Sequence, residues 1–131
     1  MENNEFNSKT VTNDALSFVG DAVYSLLVRE RLIMSGECRS GSLHSNSTRY
    51  VSARAQAKAY ERIKDILTEA EAAVYKRGRN AHSPTKAKNA TTSDYRKATG
   101  FEALIGYLYL QKNFDRIMEI VRSGFEEVKA L

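Results

Sequence analysis

Proline occurs once in this chain, at Pro84, cysteine once, at Cys38, and tryptophan not at all. A lone cysteine excludes an internal disulfide framework and a cysteine-rich zinc site. The two histidines, His44 and His82, are too far apart in sequence to form a zinc pair, and neither makes a convincing general base. No apolar run approaches the ~20 residues that span a bilayer, so a membrane is not expected as a partner. The opening "MENNEFNSKT" is polar and acidic, unlike a secretory signal or a basic transit peptide, and the expected location is cytoplasmic. Scarce proline, with little β-branched alternation, predicts a chain that is nearly all helix.

What is present is enough for one core. The 131 residues are 42% hydrophobic and 27% charged, a globular balance rather than a disordered one. The expected organisation is a flexible tail over 1–12 and a single all-α domain over 13–131, with five to seven helices. Charge is uneven along the chain. From Arg39 to Lys97 there are 13 Lys/Arg against 5 Asp/Glu, a net of +8, while the rest carries 7 against 11, a net of −4. A basic middle between acidic ends fits a face for a polyanion.

Helix one is expected over Asp14 to Met34, with Leu16, Val19, Val23 and Leu26 as its core face. A short helix near Leu43 and a long one from Thr48 to Leu67 should follow. Thr68 and Glu71 form a capping box that opens the next helix, which ends near Gly78. "RNAHSPTKAKNATTS" has the composition of a loop. Helices over about 94–113 and from Asp115 onward complete the reading.

Two carboxylates break the apolar pattern. Asp21 lies mid-helix in "LSFVGDAVY", directly after Gly20, and Glu102 lies among Phe101, Leu104, Ile105 and Leu108 in "TGFEALIGYLYL". At about 100° per residue, Asp14, Ser17, Asp21 and Ser25 form one polar stripe, and Thr99, Glu102, Gly106 and Tyr109 form another. If the stripes face each other, Asp21 and Glu102 meet, and one must take up a proton unless a cation joins them. Oxygen ligands of this kind suit Mg²⁺, with Mn²⁺ as a substitute, and such a site suits phosphodiester hydrolysis. Asp14 equally suits the first turn of a helix, and Gly20 and Gly106 suit close helix packing.

"LSFVGDAVY", "TGFEALIGYLYL", "RYVSARAQAKAY" and "YKRGRNAH" together resemble the ribonuclease III family. Within it they are most similar to the short Mini-ribonuclease III branch, which lacks a separate double-stranded RNA-binding domain. The similarity runs from about Asn13 to Leu110. It implies a ribonuclease III-like fold, a homodimer, and a Mg²⁺-dependent endoribonuclease that cuts duplex RNA to 5′-phosphate products with short 3′ overhangs. The branch is associated with maturation of the large-subunit (23S) ribosomal RNA precursor, with a ribosomal protein as a candidate accessory partner. Carried over by position, the catalytic and metal-binding acids fall on Asp21 and Glu102. Two further acids of the longer family members are replaced by Ser17 and Thr99, which with Asp14 are expected around the metal's ligands rather than among them.

RNA affinity must then come from the basic middle. Lys76, Arg77, Arg79, Asn80, His82, Lys86 and Lys88 offer donors for phosphates around the loop. Arg49, Arg54 and Lys58 are expected to pair in part with Glu61 or Asp65. Two other readings stay open: a non-catalytic double-stranded RNA-binding or ribosome-assembly protein on the same fold, and a helical adaptor whose polar stripes set dimer register.

Overall fold

The computed structural model describes residues 6–7, 9–36, 39–81 and 91–125. Among them there are six α-helices and no strand: α1 (Asn13–Met34), α2 (Ser40–Val51), α3 (Ala53–Ile63), α4 (Glu69–Asn80), α5 (Thr92–Leu110) and α6 (Phe114–Gly124), with one 3₁₀ turn at Lys64–Ile66. Five of the six helices begin with a side-chain cap. The Thr68–Glu71 box forms as its spacing predicts, with Thr68 N donating to Glu71 Oε1 at 2.9 Å and Glu71 N to Thr68 Oγ1 at 3.1 Å.

Helix α5 is the axis of the molecule. Ala98, Phe101, Ala103, Leu104, Ile105 and Leu108 are all buried, because α1, α3, α4 and α6 pack around it. A helix enclosed in this way is apolar nearly all round instead of on one stripe. The main core is aromatic at one end: Tyr24 meets Phe101 edge-on and stacks on Phe125, and its hydroxyl donates to Tyr50 O at 2.8 Å.

Three expectations are revised. The long helix expected over Thr48 to Leu67 is two helices, because Ser52 is extended (φ −63°, ψ 155°) and its Oγ accepts from Ala55 N at 3.2 Å as the cap of α3. On α1 the buried stripe is Leu16, Gly20, Tyr24 and Val28, whereas Leu26 is 67% exposed and Val19 and Val23 are only half-buried. Glu61 pairs with Lys64 (3.5 Å) and Lys97 (3.8 Å), not with Arg49, Arg54 or Lys58. Within the expected tail, Phe6 packs edge-on against Tyr107, and Val11 joins a small cluster with Leu16, Val74 and Ala103.

The start of α4 is tied to α6 by a bidentate ion pair. Arg116 donates to Glu71 from Nε (2.9 Å) and Nη2 (2.7 Å), and Nη2 also reaches Ile66 O at 2.7 Å. The Arg116 hydrogen bonds hold the Glu71 carboxyl below the usual carboxylate range, against the opposing effect of burial. Its stabilising contribution is therefore present above the unfolded-state value, about pH 4.3, and lost as pH falls through the lower folded-state value. Arg116→Met should cost about 2 kcal/mol at neutral pH, discounted from a fully buried pair because Arg116 reaches solvent. Urea unfolding at a series of pH values checks this: the gap between wild type and variant should hold down to about pH 5 and shrink below about pH 4.

A candidate active site between α1 and α5

Helices α1 and α5 cross with main chain against main chain. A Cβ added at Gly20 would overlap the Glu102 carbonyl, and one added at Gly106 would overlap the Leu16 carbonyl. Only glycine permits this approach. The contact lies within one chain, so both glycines serve the α1–α5 crossing, and it sets Asp21 and Glu102 on facing sides of the seam.

Above the crossing lies an open depression of about 280 Å³, lined by Asp14, Ser17, Phe18, Asp21, Ala81, Tyr95, Thr99 and Glu102. The two polar stripes expected from the sequence do face each other over Asp14, Ser17, Asp21, Thr99 and Glu102. Ser25 and Tyr109 lie outside it, and Tyr109 instead helps line an apolar groove. Ser17 Oγ donates to Thr99 O at 3.2 Å, a direct α1–α5 link, and Thr99 Oγ1 donates back to Tyr95 O at 3.0 Å. Both hydroxyl protons are thus committed, leaving the oxygens as acceptors toward the depression.

Asp21 is exposed, while Glu102 is half-buried beneath it. Burial pushes the Glu102 carboxyl up, the Asp21 charge pushes it further, and the Gln56 amide partly offsets both, for a value of about 8. Near neutrality Glu102 therefore keeps a proton, hydrogen-bonded toward Asp21. Among the described residues no ion pair reaches either acid, and no group of three or more His, Cys, Asp or Glu converges. Asp14 lines the same depression without completing such a group.

The basic candidates are only partly placed. Lys76, Arg77 and Asn80 are exposed on the last turns of α4, and Arg79 lies over the Tyr75 ring with Nε donating to Asn80 Oδ1 at 3.1 Å. Ala81, one residue beyond α4, lines the acidic depression, so that helix end adjoins it. His82, Lys86 and Lys88 lie outside the described residues.

One site neighbour was missed from sequence. Gln56 on α3 is 2% exposed, and its Nε2 donates to Glu102 Oε2 at 3.2 Å and to Val51 O at 2.9 Å. The available signal was phase: Gln56 shares a buried stripe with Ala59 and Ile63, so a polar side chain stands where the pattern calls for an apolar one.

The ribonuclease III domain model matches residues 14–113. Over 117 residues the chain is 46% identical to Mini-ribonuclease 3 of Streptococcus pneumoniae, covering 88% of this chain and 91% of that one. To Mini-ribonuclease 3 of Brevibacillus brevis it is 52% identical over 114 residues, covering 87% and 85%. A crystal structure of a Fusobacterium nucleatum protein superposes with a TM-score of 0.80 at 29% identity, over 87% of this chain and 91% of that one. With two facing acids on crossed helices at its centre, the chain belongs to the ribonuclease III family and, within it, to the Mini-ribonuclease 3 group.

Proposed function

We propose that this endoribonuclease of the ribonuclease III family uses Mg²⁺, with Mn²⁺ as a substitute, held by Asp21 and Glu102, to cut double-stranded RNA. The observation that carries the reading is the meeting of those two carboxylates in an open depression with no ion-pair partner among the described residues. The donor set fits the ion. Two carboxylates with the Ser17 and Thr99 hydroxyl oxygens beside them are hard oxygen donors, and the openness leaves room for waters and RNA phosphates. When bound, the ion lowers the pKa of a water and stabilises charge on the departing oxygen.

The residues divide the remaining work. To hold the ion Glu102 would have to give up its proton, so metal uptake should strengthen as pH rises toward about 8. The basic end of α4, with Lys76, Arg77 and Arg79, provides phosphate contacts beside the depression, and His82, Lys86 and Lys88, next in sequence, are proposed as further donors to phosphate. Phe18 is 80% and Leu26 67% exposed, and together with Ala22, Val23 and Phe114 they line an apolar groove of about 530 Å³. Such a patch favours a homodimer. Because Phe18 also lines the acidic depression, a partner seated there brings both sites to one seam. Ribosomal RNA precursor in the cytoplasm is the substrate proposed, with a ribosomal protein as accessory; no helix among the described residues is long and apolar enough to cross a membrane.

The deciding experiment is incubation of a long RNA duplex with the protein in Mg²⁺ and in EDTA. Discrete 5′-phosphate products in Mg²⁺ alone are expected. Intact RNA that still shifts on a native gel in both conditions would make the protein a binder on a nuclease fold.

A further inference from the structure

We propose that Gln56 is a positioning residue for this site, its side-chain amide clamping the Glu102 carboxylate in the orientation that receives the cation. The inference rests on the metal-dependent reading above and assigns a task to a residue outside the acid pair. Gln56 is 2% exposed on α3, beside the buried Ala57 and Ala59. Both its amide protons are used: Nε2 donates to Glu102 Oε2 at 3.2 Å and to Val51 O at 2.9 Å. Exchanging the amide's nitrogen and oxygen would set an acceptor against two acceptors, so the partners themselves dictate which way it points.

The arrangement is costly in a way that packing does not explain. Gln56 Oε1 is buried with no hydrogen-bond partner among the described residues. Leaving a buried acceptor unsatisfied is unfavourable, and an apolar side chain of the same length would avoid it. What the glutamine adds is a donor aimed at a glutamate that otherwise has several rotamers to choose from. With Oε2 engaged by Gln56, Glu102 Oε1 remains for a cation.

The second bond anchors the clamp. Val51 is the last residue of α2, and its carbonyl belongs to a helix end that has no intrahelical partner. The α2–α3 break at Ser52 is therefore joined to the acid pair through a single side chain, as a metal ligand's orientation is often set by the group behind it.

The test is Mn²⁺ binding to the full-length protein without RNA, followed by electron paramagnetic resonance, for wild type, Gln56→Met and Gln56→Asn. Methionine keeps the length and removes the donors; asparagine keeps the amide but is one methylene too short to span both partners. Both variants should weaken Mn²⁺ binding, by about 10- to 100-fold for methionine, while duplex RNA binding in EDTA stays within about twofold of wild type. A purely structural glutamine would lower the melting temperature and leave the folded protein's Mn²⁺ affinity unchanged. Should Gln56→Met fail to fold by circular dichroism, Gln56→Asn carries the comparison. Mn²⁺ affinity within twofold of wild type in a folded variant overturns the inference and leaves the nuclease reading standing. A wild-type protein that binds no Mn²⁺ overturns both.

Discussion

Asp21→Asn is expected to slow cleavage of duplex RNA by about 10³-fold, equivalent to about 4 kcal/mol of transition-state stabilisation. Asparagine has nearly the shape of aspartate but brings no charge, so the loss isolates the carboxylate rather than the packing around it. The same substitution should leave the fold intact or firmer. Part of what pushes Glu102 up is the Asp21 charge, and removing that charge lowers the cost, near neutrality, of keeping Glu102 protonated in the folded protein. The combination separates a functional acid from a structural one, since a structural acid loses stability when neutralised. RNA binding in EDTA should be unchanged or slightly tighter, because one negative charge has left the face offered to phosphates. Single-turnover cleavage, a gel shift in EDTA and a melting curve provide the three readouts. Cleavage within tenfold of wild type would remove Asp21 from the centre of the chemistry.

Gly20→Ala is expected to destabilise the protein by about 3 kcal/mol or more, a fall in melting temperature of about 10 °C. The added methyl group has nowhere to go: it overlaps the Glu102 carbonyl, and close beside it stands Gly106 N. Main-chain atoms within two packed helices cannot swing aside as a side-chain end can, so the helices must separate, and Ser17 Oγ loses its hold on Thr99 O. Gly106→Ala should behave alike, since its methyl meets the Leu16 carbonyl from the other side of the same crossing. Once the first substitution has parted the helices, the second should add less than its own cost. Gly41→Ala is the control. A Cβ there meets nothing within 4 Å, and in a helix alanine is better than glycine by up to about 1 kcal/mol. Urea unfolding of wild type, the three single variants and the double variant measures all of these, and Gly20→Ala within 1 kcal/mol of wild type would contradict the crossing.

How far the sequence leads depends on what kind of signal each residue leaves. Asp21 and Glu102 stand out because a charge in apolar phase is costly and must have a reason. Gln56 does the same thing more quietly, since a neutral amide among alanines breaks the pattern less, and it becomes visible only when α3 is laid under α5. The two apolar stripes of α1 show a different limit. Leu16, Gly20, Tyr24 and Val28 pack inward, while Phe18 and Leu26 face outward. Periodicity detects both stripes and cannot say which meets this chain's own core. The break between α2 and α3 was hidden because serine is neither a glycine nor a proline; its capping bond to Ala55 competes with helix continuation only once the helices pack at an angle. Thr68 and Glu71, by contrast, announce a helix start through purely local hydrogen bonds, and the structure agrees with them.

The α1–α5 crossing also separates two properties that most active sites leave entangled. The spacing of the two helices that carry Asp21 and Glu102 is gauged by peptide atoms at Leu16, Gly20, Glu102 and Gly106. Repacking the core around Ile117 and Ile120 on α6 can therefore alter how long the fold survives heat without changing that spacing. For anyone engineering a hardier nuclease from this chain, four backbone positions are the gauge block, to be kept together with the buried Gln56.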